Sequence, residues 1–137
     1  MALNKIWVVV VRAGDKAAPV SLELLTKARE LASTVEGITW GDAAGIADEV
    51  GAHGGTALHT VGDLGAALAG PAVAAAIAAK ISGGDTPDAI FVPQTYDGRD
   101  IAGRLSSRVD RPVLTNVVGL EAQDGNLVSE HAIFGGT

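Results

Sequence analysis

Thr95, Asp97, Gly98, Arg99 and Asp100 fall within six consecutive residues, TYDGRD, behind a short apolar run that ends at Pro93. Residues of these types at this spacing can do two things. Thr95 or Asp97 can cap a helix opened by Gly98, and the free N–H groups there, with Thr95 and Arg99, could bind an anion such as a nucleotide phosphate. On the other reading, Asp97 and Asp100 put two carboxylates into the first helical turn, where they complement the helix dipole and repel a phosphate. Asp100 can then pair with Arg104 four residues on. The turn becomes a self-neutralised cap that fixes its loop. A ligand site at this position would have to be completed by another chain or domain.

Other chemistry finds less support. A phosphate loop needs a glycine-rich turn ending in Gly-Lys-Ser or Gly-Lys-Thr after a strand, and the chain has none. A dinucleotide fingerprint is missing too: the loop after the first strand offers only Gly14, and GAHGG at Gly51 to Gly55 has the wrong spacing and precedes a strand. Those glycines read as helix stops and tight turns. His53, His59 and His131 lie 6 and 72 residues apart, without the i, i+4 spacing of a helical metal site, and read as surface or hydrogen-bonded strand residues. No serine stands in a nucleophile elbow, and the absence of cysteine excludes disulfides, thiol catalysis and cysteine-held clusters within the chain. We therefore expect no catalytic residue, no metal site and no cofactor bound by this chain itself.

The elements that must position the turn alternate regularly. Ile6 to Val11, an apolar run of six with four valines, predicts a strand covered on both faces of a parallel sheet. After the loop RAGDKAAPV, Ser21 can cap a helix with Leu24, Leu25, Ala28, Leu31 and Ala32 on one stripe and a Glu23–Lys27 pair on the other side. A strand at Val35 to Trp40, a helix from about Asp42 to Val50 and a strand at Thr56 to Val61 follow. Gly70 and Pro71 open the next helix, Val73, Ile77 and Ile81 form its ridge, and Gly83, Gly84 and Pro87 end it. Strand Ala89 to Val92 then leads into the TYDGRD turn and a helix with Ile101, Leu105 and Val109 on one face. Pro112 stops that helix before a strand at Val113 to Val118, which would complete a βαβ unit. Last, Glu121 to Gln123 and Leu127 to Ile133 flank Asp124-Gly125, a strong hairpin signal.

Such alternation implies one α/β domain over residues 1–137, with a three-layer, mostly parallel sheet, right-handed crossovers and a closing C-terminal β-hairpin. Ligands of open α/β sheets collect beyond the carboxyl ends of the strands, so the TYDGRD turn is where chemistry is sought first. Length, 47% hydrophobic and 19% charged residues fit a single folded domain. A formal charge of −6 and a pI near 4.8 argue against nucleic acid and against anionic membrane surfaces. No apolar stretch reaches a membrane span, the alanine-rich run Ala66 to Ile81 being interrupted by Gly70, Pro71 and Lys80, and the expected compartment is the cytoplasm. The sequence stops at Phe134-Gly135-Gly136-Thr137 behind an apolar strand. An incomplete domain belonging to something longer is the expectation.

With DGRDIAGRLSSRVDRPVLTNVVGLE in view, the chain resembles the N-terminal domain of the electron transfer flavoprotein α subunit. PVSLELLTKARELAS, GAHGGTALHTVGD, PDAIFVPQTYDGRD and LVSEHAIFGG match in family order, and the resemblance spans nearly the whole chain. Arg12 to Lys16 depart from the Glu-His pattern that often follows the family's first strand. The resemblance implies a fold like that of adenine nucleotide α-hydrolases and universal stress proteins. It also implies a heterodimer with a β subunit that takes electrons from dehydrogenases onto FAD. The family's FAD is held mainly by a C-terminal domain of the α subunit whose motifs have no match here, and AMP is expected only in the β subunit. The implied role is thus a non-catalytic scaffold domain whose partners are the β subunit and its own FAD domain. It also leaves an open sheet edge or apolar face where a second copy could pair. The competing reading is a stand-alone adenine-nucleotide-binding module of the stress-protein type, which should carry a glycine-rich pattern after its fourth strand where this chain has TYDGRDIAG.

Overall fold

A computed structural model describes residues 3–132. Its centre is β1 (Leu3–Val9), whose Ile6, Trp7, Val8 and Val9 are wholly buried, as is Val10 just beyond it. Burial on both faces needs a layer on each side, and the alternating side chains show which. Ile6, Val8 and Val10 pack with Leu25, Ala28 and Leu31 of α1 (Pro19–Leu31) and with Ile46 and Val50 around α2 (Ala47–Ala52). Trp7, Val9 and Val11 pack with Val73, Ala74 and Ile77 of α3 (Ala69–Ser82) and with Ile101 and Leu105 of α4 (Tyr96–Val109). A parallel sheet between two helical layers is the result.

Four strands form that sheet, in the order β5 (Ala57–Thr60), β4 (Ala32–Thr39), β1, β6 (Ala89–Phe91), all parallel. A separate antiparallel hairpin, β7 (Val117–Gln123) and β8 (Asn126–His131), follows α4. Its two-residue loop, Asp124-Gly125, has φ of 53° and 80°, the left-handed pair of a type I′ turn. Leu120, Ala122 and Leu127 turn one hairpin face toward the α1 side of the core. The α/β architecture and the hairpin agree with the sequence. Ile133, expected in the last strand, and the closing Phe134 to Thr137 lie outside the described residues.

Several elements depart from expectation. The strand at Val113 to Val118 does not join the sheet, so the βαβ unit is not closed and the parallel sheet has four strands instead of five. Pro112 offers no N–H, and Asn116, with φ 55°, redirects the chain before Val117 starts the hairpin. Between Val11 and α1 the expected loop contains a small ribbon, β2 (Arg12–Ala13) with β3 (Lys16–Ala17), turning at Gly14 with φ 70°. Helix α2 begins at Ala47, not Asp42, because the Asp42 carboxylate accepts from Ala44 N–H at 2.9 Å and holds a turn there. Ala32 belongs to β4, which follows α1 without a loop. Lys27 pairs with Glu30 at 3.3 Å, not with Glu23.

Ser21 is the most instructive difference. Pro19 is the first residue of α1, its fixed φ suiting that place, so the helix begins before Ser21 can cap it. The serine is instead fully buried: its Oγ accepts from Val11 N–H at 3.0 Å and donates to Val9 carbonyl at 3.3 Å. It staples α1 to the end of β1. Ser21→Ala is expected to cost about 1–3 kcal/mol, because it leaves a buried N–H without an acceptor. Urea unfolding measures this, and a loss near zero would mean that the backbone rearranges to satisfy itself.

Candidate functional site

In the order β5-β4-β1-β6, the chain leaves β1 for a helix on one face and leaves β6 for a helix on the other. The carboxyl ends of β1 and β6 therefore diverge, which is where open α/β sheets place a crevice. Arg12 opens the segment beyond β1, and Pro93 to Tyr96 form the segment beyond β6.

The TYDGRD turn occupies that second segment. Thr95 is the N-cap, with φ −98° and ψ 171°, and its Oγ1 accepts from Gly98 N–H at 3.0 Å. The helix starts at Tyr96, two residues before the expected opener, and Gly98 has a different task. It is buried against the Pro93 carbonyl, so that a side chain there would collide with backbone. Asp97 sits exposed in the first turn, and Arg99 is exposed beside it. Asp100 Oδ1 receives Arg104 Nε at 2.9 Å, the i, i+4 pair expected. The same carboxylate lies against Gly70 of α3, where the two helices approach closely. Thr95, Gly98 and Asp100 are thus engaged in holding the turn, while Asp97 and Arg99 present opposite charges to solvent.

A second polar cluster left no mark in the sequence. The β1–β4 register sets Trp7 opposite Glu36, and Trp7 Nε1 donates to Glu36 Oε1 at 3.0 Å. Lys5 Nζ reaches Glu36 at 3.3 Å and Asp85 at 3.0 Å, and Lys80 reaches Asp85 at 3.4 Å. His59 Nε2 lies 3.6 Å from Glu36, and Lys80 Nζ stands 5.5 Å above the Trp7 ring. Burial pushes the Glu36 carboxyl up, but the Trp7 and Lys5 hydrogen bonds, with the charges of Lys5 and His59, outweigh it and hold the group below its ordinary range. The Lys5 hydrogen bond likewise lowers Asp85, and Asp85 and Glu36 raise Lys5 against the opposing effect of burial. These residues come from three strands, a helix and a loop, so only the register could have revealed them. Charges paired in this way tie the sheet to α3, while His59 Nε2 is buried without a hydrogen-bond partner among the described residues.

A shallow depression of about 520 Å³ runs along α1, lined by Leu22, Glu23, Thr26, Lys27 and His53 among others. Its lining comes from α1 and the end of α2. His53 Nδ1 bonds Glu49 carbonyl at 2.8 Å, and His131 Nδ1 bonds Thr115 carbonyl at 2.9 Å. Among the described residues no three His, Asp or Glu side chains gather as a metal site, and no helix is long and apolar enough to cross a membrane.

Comparison with known proteins gives the chain its relatives. It is 34% identical to the electron transfer flavoprotein subunit alpha of Mycobacterium tuberculosis (strain ATCC 25618 / H37Rv) over 98% of its own length and 42% of the relative's. With the protein of the same name from Syntrophomonas wolfei it shares 26% identity over 95% of its length and 41% of the relative's. For the Mycobacterium leprae protein of that name the values are 34%, 85% and 36%. The chain thus spans well under half the length of these curated relatives. Residues 6–137 match the family described as the electron transfer flavoprotein domain, and the chain belongs to that family.

Proposed function

We propose that this chain is the N-terminal scaffold domain of an electron transfer flavoprotein α subunit. With a β subunit and an FAD-holding region of the α subunit, it would carry electrons from dehydrogenases in the cytoplasm, and by itself it is non-catalytic. The observation that carries this reading is the match to α subunits along 98% of the chain but 42% of their length. The capped and ion-paired TYDGRD turn supports it as an interface or anion-contact turn whose Asp97 and Arg99 stay open. So do Val113, Leu114, Val118 and Val128, large apolar residues left exposed between α4 and the end of the hairpin, as surfaces covered in an assembly are. A neighbouring part of the α subunit, the β subunit or a second copy of the chain could cover them. FAD belongs to the whole α subunit and AMP to the β subunit in this proposal.

Co-expression with the β subunit from the same organism, followed by gel filtration with light scattering, tests the pairing. A one-to-one complex is expected. Incubation of the chain alone with FAD should leave no flavin absorbance after gel filtration. Flavin retained by the chain alone would show that it holds its own cofactor, and separate elution from the β subunit would remove the scaffold role.

A further inference from the structure

Only two peptide bonds in the chain join aspartate to glycine, Asp97-Gly98 and Asp124-Gly125, and no asparagine precedes a glycine. Before glycine an aspartate side chain can close on the following main-chain nitrogen, because no Cβ stands in its way. That nitrogen attacks the carboxyl carbon, its proton and the carboxyl hydroxyl leave as water, and a succinimide ring remains. Water then reopens the ring at either carbonyl, giving back aspartate or giving isoaspartate, in which the main chain runs through the side-chain carbon. No further reactant is needed. The fold holds the two sites differently. Gly98 N–H donates to Thr95 Oγ1 at 3.0 Å in the first turn of α4, and Gly98 is buried against the Pro93 carbonyl, so ring closure there requires the helix start to come apart. Asp124, Gly125 and Asn126 are exposed at the tip of the β7–β8 hairpin, and among the described residues Gly125 N–H donates no hydrogen bond. Asp124 is held at φ 53°, a conformation that costs a residue with a side chain, so this turn gives up less on opening than a helix does.

We propose that Asp124-Gly125 is a site of spontaneous backbone modification to isoaspartate, which frees the hairpin from the core, and that Asp97-Gly98 is protected from the same reaction by its cap. Isoaspartate adds one methylene to the main chain and leaves the carboxylate on a shorter stub. A two-residue loop has no room for the extra atom, since Gln123 and Asn126 pair directly across it. The ladder then loses its register from the tip, and Leu120, Ala122 and Leu127 lose the alignment that packs them on the α1 side of the core. Mass and the number of charged groups stay the same, so the effect reaches the fold through geometry alone.

The test ages the 137-residue chain at neutral pH and physiological temperature and maps its peptides by chromatography and electron-transfer fragmentation, which tell isoaspartate from aspartate. Isoaspartate should accumulate at position 124 at least about tenfold faster than at position 97, as expected where one site must open locally before it reacts. In urea, with both sites unfolded, the two rates should converge. Equal rates in the folded chain overturn the proposal, and so does a difference that persists in urea, because the sequence and not the fold would then set it. Hydrogen exchange reads the consequence: in the isoaspartate fraction the amides of residues 117–131 should lose protection while those of β1 keep theirs. Asp124→Gly suits the left-handed turn but has no carboxyl to close the ring, so its hairpin should stay protected on ageing. Unchanged protection in the isoaspartate fraction, or equal loosening of aged Asp124→Gly, overturns the proposal as well.

Discussion

Gly98→Ala should cost the chain about 3 kcal/mol or more of stability, a large effect for one added methyl group. The cause is space, not backbone freedom: Gly98 has no left-handed φ. A Cβ at this position would run into the Pro93 carbonyl oxygen and would also come within 3.1 Å of Thr95 Oγ1. A carbonyl at the end of a strand cannot rotate away as a long side chain can. The first turn of α4 must therefore shift, and with it the cap in which Thr95 accepts from Gly98 N–H. Loss of such a cap alone is worth about 1 kcal/mol, and the remainder is displacement of Ile101 and Leu105 from the core that they share with Trp7. Gly103→Ala is the control, because nothing lies within 4 Å of its Cβ position and the helix gains from alanine there by about 0.5–1 kcal/mol. Urea unfolding of both variants separates the two cases. Equal behaviour of Gly98→Ala and Gly103→Ala would mean that the turn yields without cost.

The same turn shows what a sequence can carry. A threonine three residues before a glycine, followed by Ile101 and Leu105 at helical spacing, carries the Thr95 cap and the buried face of α4, though not the close approach of Gly98 to the Pro93 carbonyl. Asp124-Gly125 is more complete, since both residues tolerate the left-handed φ that the hairpin needs. The failures have a shared origin. Ser21 resembles a cap because its neighbours in sequence suggest one, but its partners are the Val11 amide and the Val9 carbonyl across a helix–strand contact. Val113 to Val118 has the composition of a strand, yet strand propensity only expresses how well a residue fits a partner surface: Val117 pairs with β8 in the hairpin, and among the described residues no strand pairs with Val113 to Asn116. Lys27 had two acids within reach, and nothing local chose Glu30 over Glu23. At the candidate site, Thr95 and the Asp100–Arg104 pair were legible for the same reason as the turn. The contact of Asp100 with Gly70 arises from tertiary approach alone.

Trp7 joins the core to the half-buried charges of Glu36 and Lys5, and Trp7→Ala is expected to cost about 3–5 kcal/mol from lost burial and the cavity left behind. The ring is wholly buried on the α3 side of β1, packed with Val73, Ile77 and Ile101. Trp7→Phe isolates the second part of its role, since it keeps most of the apolar volume but removes the N–H that Glu36 accepts at 3.0 Å. Glu36 titrates below its ordinary value of 4.5 in the folded chain. A carboxyl depressed by folding contributes stability that is present above its unfolded value and lost as pH falls through the folded one. Removing the Trp7 donor moves Glu36 upward, back toward the unfolded value, so part of that contribution disappears. The stability gap between wild type and Trp7→Phe should therefore be widest near neutral pH and shrink in the acid range below the ordinary value of 4.5, where Glu36 protonates in the folded variant before it does in folded wild type. Urea midpoints at about pH 7 and about pH 3 give the two gaps directly. If they are equal, the tryptophan acts by packing alone, and the charge on Glu36 is held by Lys5 without help from the indole.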